Sequence, residues 1–330
     1  MNTHKKNDLN KKYGVNLSKD STPVINNELK IKFLEYIERI MKNKSFDLTE
    51  IYPESDEITV LLKQVDDLKR CLDSFRPLNP IQVKNIRESE DIEYTYESNR
   101  IEGNTLTLSE TEMVINKGIT IGGKPLDDHL EAIGHNEAID FIRDMATKNK
   151  PIDEYDLKSI HNIILRKIQP KYAGVYRNME VTITGSSHKP PQPYIVSKLM
   201  EDYFIWYNDN REKTNPVLLS AQMHQKLVNI HPFVDGNGRT SRLVMNLILL
   251  QNGFPIANIS GEGEKRKEYY QSLENHHLTN NSDVFYKFIA NRVKESLMKY
   301  LSIVSVNIDE DNKGGYFYQK VDSFLKKKNI

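Results

Sequence analysis

The chain has 330 residues, 46 Lys and Arg against 46 Asp and Glu, and 38% hydrophobic residues. A formal net charge of zero argues against a general nucleic-acid binder, which needs excess cations to neutralise phosphates, and against an acidic disordered chain. A single cysteine, Cys71, excludes an intramolecular disulfide framework and a cysteine-built zinc site.

The N-terminal stretch MNTHKKNDLNKKYG has lysines but no apolar run, so it does not read as a secretory signal. Residues 1–27 are polar and aperiodic, which predicts a mobile arm. Apolar side chains then recur at helical spacing, first at Phe33, Leu34, Ile37, Ile40 and Met41. They recur again at Ile58, Leu61, Leu62, Val65, Leu68, Leu72 and Phe75, with Cys71 on the same stripe as a core thiol. These two stripes predict an N-terminal helical region over 28–80, closed by the Pro77 and Pro80 break.

The main domain is expected over 81–304. Its first helix should run from about Val83 to Ile101 and stop at Gly103, a residue suited to a helix end because it tolerates positive φ. Thr107 with Glu110, and Ser109 with Glu112, are both capping-box spacings, so a second helix starts there. Leu130, Ile133, Ala138, Phe141, Ile142 and Met145 predict a third helix; Leu157, Ile160, Ile164 and Ile168 predict a fourth. The period then changes. Val181 to Thr184 alternates between Gly185-Ser186-Ser187 and Pro190-Pro191, which predicts a short β-hairpin. Helices are expected near 195–208, 216–230, 239–252, 266–277 and 282–303, and a polar, Lys-rich tail over 305–330. The uncharged stretch from Leu243 to Gly261 carries Asn246, Gln251, Asn252, Gly253 and Pro255, so it reads as a buried helix and turn rather than a membrane span. The expectation is a soluble, cytoplasmic, all-α protein with one small hairpin, no membrane association and no nucleic-acid partner.

The chemistry concentrates in Ile230-His231-Pro232-Phe233-Val234-Asp235-Gly236-Asn237-Gly238-Arg239-Thr240-Ser241-Arg242, a loop feeding a helix N-terminus. Glycines on either side of Asn237 let successive backbone N–H groups turn inward, and the helix dipole adds to them. That is an anion hole. Arg239 and Arg242, three residues apart, share a helix face and can clamp neighbouring phosphates. Asp235 offers a hard carboxylate oxygen where Mg²⁺ held against phosphates would sit. His231 has a side chain that can take a proton from a hydroxyl near neutral pH.

This segment matches H-x-F-x-[DE]-G-N-G-R-x-x-R, the motif of the Fic family, at every specified position. The chain resembles Fic-domain protein adenylyltransferases over about Glu97–Leu301. It is most similar to the animal endoplasmic-reticulum members, through IEGNTLTLSE, GSSHKPP and IHPFVDGNGRTSRL. The resemblance implies a Fic-fold helical bundle and AMP transfer from ATP to a Ser, Thr or Tyr hydroxyl of an unidentified target protein, or of the chain itself. His231 would be the base and Asp235 the Mg²⁺ ligand. Gly236, Asn237, Gly238, Arg239, Thr240, Ser241 and Arg242 would bind ATP phosphates, with Arg239 on the β- and Arg242 on the γ-phosphate. Thr182, Ile183, Thr184 and Gly185 would form the flap that aligns the target, and Tyr269 and Tyr270 would contact the nucleoside. Ser98-Asn99-Arg100-Ile101-Glu102-Gly103 matches the family's inhibitory pattern [ST]-x-x-x-E-[GN], in which the glutamate competes with the γ-phosphate for the second arginine. Ser98 and Glu102 would supply that brake from the helix over about 83–102. Removal of AMP by the same site, and a regulatory helical module with a vestigial site, are the alternative activities; a homodimer is among the assemblies the family allows.

Overall fold

The computed structural model describes residues 57–74, 78 and 80–306. The expected arm over 1–27, the stripe at 33–41, the side chains of Cys71 and Phe75, and the tail beyond 306 lie outside the described residues. Ten α-helices occur among those described. They are α1 (Ile58–Ser74), α2 (Pro80–Ile101), α3 (Leu108–Lys117), α4 (Leu126–Lys148), α5 (Glu154–Leu165), α6 (Val196–Asn210), α7 (Pro216–Ile230), α8 (Asn237–Gln251), α9 (Gly263–Thr279) and α10 (Asp283–Val306). None is long and apolar enough to cross a membrane.

Local signals set several of these boundaries. Thr107 caps α3 with the expected box: its side chain accepts from Glu110 N–H while the Glu110 carboxylate accepts from Thr107 N–H. Asp153 and Asp156 close an equivalent box at α5. The side chain of Asn215 caps α7, with Pro216 in the first turn, where its missing N–H costs nothing.

α8 is the axis of the fold. Leu243, Val244, Leu247 and Ile248 enter one core with α4, α5, α6 and α7; Met245 and Leu249 enter a second with α1, α7, α9 and α10. A helix that is apolar all round has to be buried, and each fully buried Leu, Val or Ile contributes about 1.5–3 kcal/mol. α8 is therefore anchored in both cores. α1 joins the second core through Leu61, Val65, Leu68 and Leu72. The uncharged stretch that follows α8 turns back on it. Asn246 accepts from Ala257 N–H and donates to Ala257 C=O, an arrangement a buried amide needs and a lipid-facing one would not find.

The expected β-hairpin is absent. No strand occurs among the described residues; 181–183 has no regular structure, and one turn bond runs from Ser186 N–H to Ile183 C=O. The return arm cannot complete a ladder. Its Ser186 and Ser187 side chains and the Ser187 N–H are all engaged by Glu274 of α9, while Pro190 and Pro191 have no N–H. A lone two-stranded hairpin is marginal in any case.

Candidate active site

α7 ends at Ile230 and α8 begins at Asn237, so the predicted loop is strung between two buried helices. His231 is the C-cap of α7 and takes left-handed backbone angles, φ 50° and ψ 57°. For a non-glycine residue that conformation costs roughly 1–2 kcal/mol. Its Nδ1 lies 3.3 Å from Val228 C=O; a carbonyl only accepts, so the proton sits on Nδ1 and the lone pair on Nε2. Burial pulls the imidazole down to about 4; the Val228 carbonyl and Glu102 oppose this, while Arg177 and His188 reinforce it. His231 is thus a neutral base at physiological pH.

The loop is held by its own side chains. Asn237 Oδ1 accepts from Phe233 N–H at 3.0 Å, and its Nδ2 donates to Phe233 C=O at 2.9 Å. The Asn237 side chain thus folds the loop back on itself. Phe233 is buried and stacks on His161, with ring centroids 3.6 Å apart. Gly174 N–H donates to His161 Nδ1, so Nε2 bears the proton and donates to Asp235 C=O at 2.9 Å. The Asp235 carboxylate takes Gly236 N–H on Oδ1 and Gln169 Nε2 on Oδ2, yet remains 45% exposed.

Both arginines are buried and already engaged. Arg239 Nη1 meets Glu131 Oε1 at 2.8 Å, and Glu131 Oε2 accepts from Asn104. Arg242 donates through Nε to Ser98 Oγ at 3.0 Å and through Nη2 to Ser98 C=O at 2.9 Å and Glu102 Oε1 at 2.6 Å. Burial works against its charge, but Glu102 and the neighbouring tyrosines Tyr269 and Tyr94 outweigh it and raise the pKa further. Glu102 lies just past the end of α2, followed by Gly103 at φ 104°. Its carboxylate covers Gly238, where an added Cβ would stand 2.5 Å from Oε1. Any side chain there would have to displace the Glu102 carboxylate.

Thr240 and Ser241 are fully buried, and Ser241 Oγ donates back to Asn237 C=O. Tyr269 is 1% exposed, its hydroxyl between Arg242 and His224. Tyr270 is 40% exposed, with Arg266 over its ring and its hydroxyl on Ile101 C=O. In the segment expected as a flap, Thr182, Thr184 and Gly185 are exposed and Ile183 is half-buried.

Several residues that build the site carried no sequence signal. His161 fell on the apolar stripe of α5, and its partner Asp235 is 74 positions away. Gln169, Glu131 and Asn104 are likewise far in sequence from what they hold. Arg177 is a buried cation on the chain between α5 and the 178–191 segment.

Among known proteins, the Fic/DOC family profile matches residues 151–249. A solved structure of Fic-1 (residues 134–508) from C. elegans superposes with a TM-score of 0.67 at 30% identity, covering 83% of each chain. The chain belongs to the Fic/DOC family. A Fic-domain-containing signaling protein from Bacteroides thetaiotaomicron is also similar, with a TM-score of 0.63 at 28% identity, covering 76% of this chain and 97% of that one. The curated Fic relative from Drosophila grimshawi, named protein adenylyltransferase Fic, is 33% identical over 243 residues, 73% of this chain and 49% of its own length. The relative of the same name from Nematostella vectensis is 33% identical over 250 residues, 74% of this chain and 57% of its own. This Fic chain spans about half the length of these curated relatives.

Proposed function

We propose that the protein transfers AMP from ATP to a hydroxyl side chain of a protein target, and that Glu102 restrains this activity. The observation that carries the reading is the convergence of a neutral His231, an exposed Asp235 carboxylate and two buried arginines around the first-turn amides of α8, in a member of the Fic/DOC family. The adenylyltransferase names of the relatives support the same reaction class.

His231 Nε2 would accept the proton of the target hydroxyl as it attacks the ATP α-phosphate, with pyrophosphate leaving. The amides at the start of α8 would meet the negative charge that grows there, being preorganised and partly shielded from water. Arg239 and Arg242 would hold the outer phosphates. Tyr270 is the aromatic surface placed to pack on the nucleoside. Mg²⁺ fits the donor set: the Asp235 carboxylate is a hard oxygen donor 45% exposed beside the start of α8, and Mg²⁺ sites commonly combine one or two carboxylates with substrate phosphates. Asp235 would hold it, and the bound ion would neutralise charge on the phosphates.

Glu102 and a γ-phosphate compete for one guanidinium. With the pair closed, ATP cannot seat its γ-phosphate on Arg242, so the resting chain would be slow. The decisive experiment is intact-mass spectrometry and radiolabel transfer with purified protein, ATP and Mg²⁺. Glu102→Gly should add AMP well above wild type and Glu102→Gly/His231→Ala should add none; a Glu102→Gly protein without AMP adducts or labelled targets refutes the assignment. A second reading, AMP removal from a modified target, is favoured by one feature. Glu102 is closed on Arg242 yet about a third of its side chain meets solvent, where it could orient a water. Release of AMP from a pre-modified target by wild type, lost in Glu102→Gly, would support it.

A further inference from the structure

We propose that Arg177 is a positioning residue that ties both arms of the 178–191 segment to the His231 loop, so that base and flap are set by one side chain. Its guanidinium is buried and surrounded by main-chain carbonyls from three places. Nε donates to His231 C=O at 2.7 Å, Nη1 to Met179 C=O at 3.1 Å, and Nη2 to Pro191 C=O at 2.6 Å and Ile230 C=O at 3.5 Å. The Arg177 backbone N–H completes the set on Pro232 C=O at 2.9 Å. Met179 opens the segment and Pro191 closes it.

The chemistry of the group suits this task and little else. None of these hydrogen bonds goes to a carboxylate; Glu180 is the charge that favours the cation from a distance. Desolvating a cation is costly unless its donors are all used, and a planar fork can address carbonyls in several directions at once. A lysine could not reproduce it. The two arms have no ladder between them, and away from the single turn bond from Ser186 N–H to Ile183 C=O no backbone bond among the described residues sets their separation. His231 sits in a strained conformation that its neighbours must maintain. The opening of the 178–191 segment and the aim of the imidazole therefore depend on the same four acceptors. Glu274 holds the far arm from the other side, leaving the tip at 182–185 as the part free to meet a target.

The catalytic half of this inference rests on the AMP-transfer reading, so the test has two independent arms. Glu102→Gly and Glu102→Gly/Arg177→Lys are compared for self-modification with ATP and Mg²⁺, for ATP affinity, and for amide hydrogen exchange by mass spectrometry. Arg177→Ala serves as a second variant. The expected result is a fall in kcat of about 10- to 100-fold, as for a misaimed base, with ATP affinity within about threefold. Exchange should accelerate together in peptides covering 178–191 and 228–234 while α8 peptides stay protected. Unchanged kcat beside an active Glu102→Gly parent overturns the positioning role, as does a parallel loss of ATP affinity. Exchange that rises in only one of the two segments, or in neither, overturns the tie itself. A Glu102→Gly parent that transfers no AMP counts against the reaction and leaves the exchange arm to decide the clasp.

Discussion

Glu102 Oε1 lies 2.6 Å from Arg242 Nη2 and directly over Gly238, so one carboxylate occupies both an arginine and the floor of the anion hole. The contact joins the end of α2 to the first turn of α8. Among the described residues, no other carboxylate pairs with that guanidinium.

Removing the carboxylate should raise activity and lower stability together. Arg242 keeps Ser98 but loses its anionic partner, and leaving a buried group undersatisfied costs about 1–3 kcal/mol. Denaturant unfolding of Glu102→Gly should show that loss without ATP and recover much of it with saturating ATP and Mg²⁺. A variant no less stable than wild type would mean the pair carries no net energy.

Gly238→Ala tests the same contact from below. In the wild-type background its Cβ meets Glu102 at 2.5 Å and should displace the carboxylate or cost about 1–3 kcal/mol. In the Glu102→Gly background the obstacle is gone. The two substitutions should therefore be non-additive by about 0.5–3 kcal/mol in a double-mutant cycle.

His231 predicts a separation of stability from catalysis. His231→Ala and His231→Gly should both abolish AMP transfer. Alanine must hold the left-handed conformation at φ 50°, which glycine adopts freely, so His231→Gly should be the more stable by about 1 kcal/mol. Thermal unfolding of the pair checks it.

Acid should destabilise the fold before the carboxylates titrate. Burial holds His161 and His231 at about 4 and His224 at about 3, and holds His135 well below 6.5. These folded-state values lie below the unfolded one, so the unfolded chain binds more protons as pH falls. The stability they contribute is complete above about 6.5 and is lost toward 4, each group adding a slope of up to about 1.4 kcal/mol per pH unit. Glu90, raised by burial to about 7, acts in the opposite sense between 4.5 and 7. Asp91 and Glu295, also raised by burial, act with Glu90, and these three carboxyls are outweighed by the four imidazoles together with His276 and His277, which burial likewise lowers. Unfolding midpoints should fall steeply from pH 6.5 to pH 4.5, and AMP transfer should lack the inflection near 6.5 of an ordinary histidine.

What the amino-acid sequence determined by itself was whatever is encoded locally. Helical periodicity placed α1, α4 and α5, since an amphipathic stripe is written in neighbouring residues. The Thr107 capping box fixed the start of α3, and the compressed segment from His231 to Arg242 named the site, because loop and helix N-terminus adjoin in the chain. Even there, composition could not say which way a side chain turns: that of Asn237 folds back on Phe233, and that of Ser241 on Asn237 C=O. The 178–191 segment looked like a hairpin because alternation signals extended backbone, not a partner for it. Only the tertiary structure decided that Glu274 and Arg177 take up its hydrogen bonds, that Tyr269 is core and Tyr270 surface, and that His161 steadies Asp235. Apart from the Arg177 bonds within its own neighbourhood, these contacts join residues dozens of positions apart. Their geometry follows from how α2, α5 and α9 pack around α8, and no local pattern records it.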